Sequence, residues 1–203
     1  MTEDSQLNDE HLKIIKNVLE TAGKKSADNI STMINSNVKS KIEKIQADAF
    51  EHCENEIDKE RMALIVYSEL GDGEDGLALF ILYEDSARRI ANILMGRDKD
   101  KKFGKFGEVE KSAVKEVGNI IMGNFLGEVS NYFKTSIMHT PPELIHDMVG
   151  VYFEDVVGYT TLLEEAVIAD VKFVAEGAGI EGKYLLIPSD ELMLSFIKHL
   201  SLE

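Results

Sequence analysis

One cysteine in 203 residues, Cys53, leaves no partner for an internal disulfide and no CxxC pair. That points to a reducing compartment. Positive charge is also scarce. Against 37 acidic residues stand 22 basic ones, a formal net charge of −15, so neither a nucleic-acid backbone nor an anionic membrane surface is an expected partner. The one basic cluster, Arg97 to Lys102 (RDKDKK), alternates with acids and restores neither. Long apolar runs are missing too. The longest, Leu77 to Tyr83, falls far short of the roughly 20 residues that a helical span requires. The N-terminal MTEDSQLNDEH carries acids where a signal segment would be apolar. These absences describe a cytoplasmic chain with no membrane insertion. Its 44% hydrophobic content still suffices for a substantial core.

The informative residues are concentrated in GEVEKSAVKEVGNIIMGNFLGEVSNYFK (107–134). Val114, Val117, Ile121, Phe125, Val129 and Tyr132 recur at steps of 3, 4, 4, 4 and 3, the spacing of one buried helix face. Ser112, Glu116 and Asn119 stack on adjacent turns of the opposite face. Gly123 continues that polar face and Gly127 lies beside it. Glycine costs a helix interior about 1 kcal/mol relative to alanine, so two on an outer face call for a reason, such as close approach of another molecule. Pro142 follows Asn119 after 22 intervening residues.

The chain repeats itself. Asn8 is a plausible N-cap with Asp9 and Glu10 in the first turn, where the helix dipole favours acids. Ile15, Val18, Ala22, Ser26, Ile30 and Met33 then follow at the same steps, each 99 residues before its counterpart in the second stripe. Strand-like runs come next, at Val38–Ala47, Met62–Glu69 and Gly76–Tyr83, and then a short helix at Asp85–Met95. The second half answers with Ala166–Ala175, Gly182–Pro188 and a helix at Asp190–Leu200. GLALFILYEDSARRIANIL and GKYLLIPSDELMLSFIKHL match as strand, turn and helix. The expected organisation is one domain over 1–203, with repeats at 8–96 and 107–203 and a charged linker at 97–106. The expected fold is α/β of the α+β type: a pseudo-twofold duplicated unit, two long helices on one joined, mostly antiparallel sheet. Where the second half has Ser112, Glu116, Asn119 and Pro142, the first has Lys13, Asn17, Glu20 and Glu43. The scaffold positions are preserved in kind while these four differ, which separates them from residues that only hold up the fold.

The pattern Ser/Asp-x3-Glu-x2-Asn-x22-Pro, met in full by Ser112, Glu116, Asn119 and Pro142, resembles the signature of the CheC-type phosphatases of chemotaxis, which include CheX and the flagellar FliY proteins. The flanks KEVGNIIMGNF and HTPPELIHDMV, the chain length and the duplicated layout are similar as well. Many CheC proteins carry the motif in both halves; here it stands only in the second. The resemblance implies a phosphatase acting on the phospho-aspartate of the response regulator CheY. Asn119 would orient the attacking water, and Glu116 would pair with the regulator's active-site lysine. Ser112 would shape the edge of the site and Pro142 would support its backbone. It also implies no cofactor of the chain's own, since Mg2+ belongs to the regulator, and CheD as a second partner.

Other residues have plainer readings. Glu116 and Asn119 could be solvated polar groups on an amphipathic helix. His139 and His146, with Asp147 near, are seven apart, which misses the helical spacing of metal ligands. Cys53 sits among acids in EHCENE, which raise a thiol pKa instead of activating it. The stretch Glu51–Glu60 reads as a solvated loop, and the eight methionines as core filling. The alternative function is a non-catalytic adaptor of the chemotaxis or flagellar switch machinery.

Overall fold

The computed structural model describes residues 7–53, 56–71, 75–102, 104–159, 165–175 and 178–202. In chain order the elements are α1 (Asp9–Ile34), β1 (Val38–Ala49), α2 (Phe50–Cys53), β2 (Met62–Leu70), β3 (Gly76–Tyr83) and α3 (Glu84–Leu94). The second half supplies α4 (Glu108–Phe133), β4 (Glu143–Met148), α5 (Val149–Tyr159), β5 (Glu165–Ala175), β6 (Ala178–Pro188) and α6 (Asp190–Leu200).

Asn8 caps α1 as its sequence suggests, its side chain accepting from the Glu10 and His11 amides at 3.0 Å. Both long helices have 26 residues and keep the offset of 99 at each end. They also stop in the same way, in left-handed caps at Asn35 (φ 50°) and Lys134 (φ 51°), whose amides donate to Ser31 and Ser130 carbonyls. Asparagine tolerates that conformation through local hydrogen bonding. Lys134 adopts it without that help.

All neighbouring strands pair antiparallel, in the order β1-β5-β6-β3-β2-β4. Exchanging the two halves reverses this order and leaves it unchanged, which places the pseudo-twofold between β3 and β6. The exchange also shows how the sheet is joined. Each half lends its first strand to the hairpin of the other, β1 to β5 and β4 to β2. Strand alternation sends Leu64, Val66, Ala78, Phe80, Tyr184 and Leu186 toward α1, α3, α4 and α6. Ile65, Leu79, Ile81, Leu185 and Ile187 face Phe50 of α2 and Tyr152 and Phe153 of α5.

Several expectations need adjustment. Both helical stripes are wider than a single row. Leu19, Gly23 and Ala27 on α1, and Gly118, Met122 and Leu126 on α4, are buried as well. The stripes also end differently: Met33 is 45% exposed and Tyr132 half-buried, while Phe133 takes the core position. β4 and α5 occupy a stretch where no element was expected. β4 is an edge strand of the sequence ELIHDM, too short and too polar for clear alternation. Within Glu51–Glu60, a helical turn ends at Cys53 and Ile57 is buried; the Cys53 side chain lies outside the described residues. β1 runs on to Ala49, and β6 begins at Ala178.

Candidate functional site

α4 is seated by its apolar face. Phe125 packs on the Tyr184 ring at 4.7 Å between centroids. Gly118 makes the closest approach to the sheet: a Cβ there would stand 2.5 Å from a Val66 methyl and 2.9 Å from Val66 Cβ. This glycine, and not the two on the outer face, is the one the packing requires. The first turn of α4 is tied to the preceding segment by Arg97 and Glu110 at 2.8 Å, and the arginine holds the Glu110 carboxyl below the usual carboxylate range. Toward its C-terminal end, Glu128 pairs with Lys25 of α1.

With the helix fixed in this way, Ser112, Glu116 and Asn119 are all exposed on its outer face. Among the described residues, no hydrogen bond or ion pair engages any of the three side chains. Gly123 is exposed and Gly127 half-buried, and a Cβ on either would meet nothing within 4 Å. The stripe is therefore a carboxylate and an amide one turn apart, flanked by a hydroxyl and by open backbone. Such a set can pair with a cation and orient a water.

Pro142 is apart from these three in role. It is buried and precedes β4, which pairs with β2 from Tyr67↔Glu143 to Met62↔Met148. Beyond Glu143 the ladder resumes at Leu70↔His139, with three residues of one strand opposing two of the other. Thr140 closes the gap, its amide donating to Glu69 O at 2.9 Å and its hydroxyl accepting from Glu69 N at 3.1 Å. The extra residue is thus Pro141 or Pro142, in a bulge on an edge strand, where a missing N–H costs nothing. The first half has the same device. The register of β1 shifts between Ile42 and Lys44, leaving Glu43 as the extra residue, 99 positions before Pro142. A bulge at this point is common to both halves; the proline is not.

Lys13, Asn17, Glu20 and Glu43 are likewise exposed, so the first-half set is accessible; Asn17 and Glu20 are the same amide and carboxylate in reversed order, with a lysine in place of the serine. The histidines do not come together. His146 Nε2 lies 2.8 Å from Glu84 Oε1, and His139 Nδ1 lies 3.0 Å from the Thr140 carbonyl. Glu84 also binds Arg88 at 3.1 Å, and these two partners outweigh burial to hold its carboxyl below the usual range. No three His, Cys, Asp or Glu side chains gather as a metal site among the described residues, and none of the helices there is long and apolar enough to cross a membrane.

Residues 109–146, which hold the whole constellation, match the model of the CheC-like family. The resemblance is to that family. A Halobacterium salinarum protein named "Putative CheY-P phosphatase CheC1" is 30% identical over 125 residues, 60% of this chain and 62% of that protein. The matched stretch thus covers less than two thirds of the relative. Thermotoga maritima FliY superposes with a TM-score of 0.77 at 18% identity, over 97% of this chain and 98% of that one. The FliM middle domain of H. pylori does so with a TM-score of 0.70 at 11% identity, over 95% and 99%. At these identities the two structures establish the fold alone. The CheC-like match covers the α4 stripe and runs through the bulge to His146.

Proposed function

We propose that this protein hydrolyses the phospho-aspartate of a chemotaxis response regulator of the CheY kind. The observation that carries this reading is the exposed Ser112/Glu116/Asn119 stripe, whose side chains are unengaged and whose order is not repeated on the same face of α1, where a lysine replaces the serine and the amide precedes the carboxylate. The name of the Halobacterium relative supports the same activity. An acyl phosphate is already activated, so positioning and charge tolerance suffice. The Asn119 amide holds a water in line. The water oxygen forms the new bond to phosphorus. The bond from phosphorus to the aspartate oxygen breaks with its electron pair, and the water's proton leaves to phosphate or solvent. Glu116 pairs with the regulator's lysine and sets the register of docking. Ser112 bounds the site, and Pro142 supports it from the bulge. Mg2+ is carried by the regulator, and the reaction takes place in the cytoplasm. In this reading residues 1–203 act as one CheC-like domain. The adaptor reading, with CheD or the flagellar switch as partner, assigns no role to the order Ser112, Glu116, Asn119, which α1 does not repeat.

The test is phosphate release from phosphorylated regulator with Mg2+, comparing wild type, Asn119→Ala and a control without the protein. Wild type is expected to accelerate release, and Asn119→Ala to lose at least tenfold, about 1.4 kcal/mol of transition-state stabilisation. Folding should be unchanged, because Asn119 faces away from the core. Near-wild-type turnover by the variant would remove Asn119 from the mechanism.

A further inference from the structure

Three apolar side chains are exposed around the N-terminal end of α4. Val109, in its first turn, is 66% exposed, and Met62 and Met148, Cα partners across β2 and β4, are 38% and 41% exposed. The strand register puts them at the same end. Leu64↔His146 is the next pair on the same face of the sheet, the face that bears α4. The His146 ring meets Phe106 edge-on at 5.2 Å, and Phe106 stands three residues before Val109. Val109 also heads the site stripe, since 109, 112, 116 and 119 follow helical steps of 3, 4 and 3.

The repeat supplies a control. The first-half counterpart of Val109 is Glu10, an exposed acid in a first turn, as the helix dipole favours. The counterpart of Met148 is Ala49, the last residue of β1, and its cross-strand partner is Glu165 where Met148 has Met62. Two methionines and a valine therefore occupy these positions only in the half that carries Ser112, Glu116 and Asn119. A β-branched apolar residue gains nothing from water at a helix start, and methionines adapt to varied partner surfaces. Three side chains are far too few for a stable interface of about 800 Å² per partner, so a lasting dimer of this chain is not what they fit.

We infer that Val109, Met62 and Met148 form an apolar docking patch for the receiver domain whose acyl phosphate the adjacent stripe attacks. This rests on the proposed phosphatase function. The regulator would lay its phosphorylated end along Glu116 and Asn119 and an apolar part of its surface on the patch.

The experiment installs the first-half residues, Val109→Glu with Met148→Ala. It measures the Kd for the regulator loaded with beryllofluoride, the KM and kcat for phosphorylated regulator, and the sedimentation behaviour of the protein alone. Thermal unfolding checks folding, and a single Val109→Ser variant repeats the binding measurement without added charge. The expected result is a Kd and KM at least tenfold higher, with the loss in binding and not in kcat. Unchanged binding, alongside a working Asn119-dependent activity, would overturn the patch and leave the phosphatase standing. Loss of self-association without loss of regulator binding would overturn it in favour of a second copy. A wild type that neither binds nor dephosphorylates the regulator would defeat the function and the patch together.

Discussion

Two glycines on one helix, five residues apart, should respond to alanine in opposite directions. At Gly118 the new Cβ would stand 2.5 and 2.9 Å from the Val66 methyls and 2.9 Å from Val66 Cβ. The methyls can rotate, but the Cβ moves only with β2, which is held between β3 and β4. The helix must therefore lift. Overpacking of this kind costs about 1–3 kcal/mol, and the helix-propensity gain of about 1 kcal/mol offsets part of it. The net loss should reach up to about 2 kcal/mol, a fall in Tm of up to about 8 °C for a chain of this size. At Gly123 the Cβ meets nothing within 4 Å, so only the propensity term acts, a gain of about 0.5–1 kcal/mol. Urea and thermal unfolding followed by circular dichroism measure both. Gly118→Ala should also cost less in a Val66→Ala background, with a coupling of about 1 kcal/mol. Both variants shifting the same way, or no coupling to Val66, would refute this account of how α4 is seated.

Gly123→Gln should keep a stability gain yet raise the KM for phosphorylated regulator several-fold, because its side chain fills the open face that the partner approaches. Glu116→Lys should lose more activity than Glu116→Ala through repulsion of the regulator's lysine, and the wild-type advantage should shrink as added salt screens the pair; equal rates for wild type and the lysine variant would remove the ion pair. Asn17→Ala with Glu20→Ala should leave phosphate release unchanged, since a carboxylate at position 20 repels a phosphoryl group, and loss of about half the rate would reveal a second working site. Glu84, held below its ordinary pKa with His146 and Arg88 at its carboxylate, adds stability that is present above the unfolded carboxylate pKa and lost as pH falls through the folded one; the stability gap to Glu84→Gln, measured by unfolding at pH 7 and at successively lower pH, should therefore close on acidification.

The fold was readable wherever periodicity met a repeat. The offset of 99 between the helical stripes survives as identical lengths, left-handed caps at the same end and buried positions that correspond pair by pair from Ile15 and Val114 to Ile30 and Val129. What stayed hidden lies where local pattern carries little information. ELIHDM lies on an edge, with one side unpaired, so the core imposes no clean alternation on it. The exchange of first strands between halves is a long-range choice that neither half encodes alone. Gly118 escaped notice because a lone glycine inside an apolar stripe looks like a defect until the strand beneath it is known.

For the site, spacing was enough to place Ser112, Glu116 and Asn119 on one exposed stripe, because a helix converts sequence intervals into directions. Pro142 was different. In sequence it shared a motif with the other three, and only the family resemblance set it apart as backbone support. The structure separates them: three residues present chemistry outward, while the proline stands where the strand carries one residue too many. The bulge at Glu43 decides the point, because the same backbone feature forms there without a proline and without the Ser/Glu/Asn set. The backbone device is common to both halves, and the Ser/Glu/Asn set stands on the outer face of α4 alone.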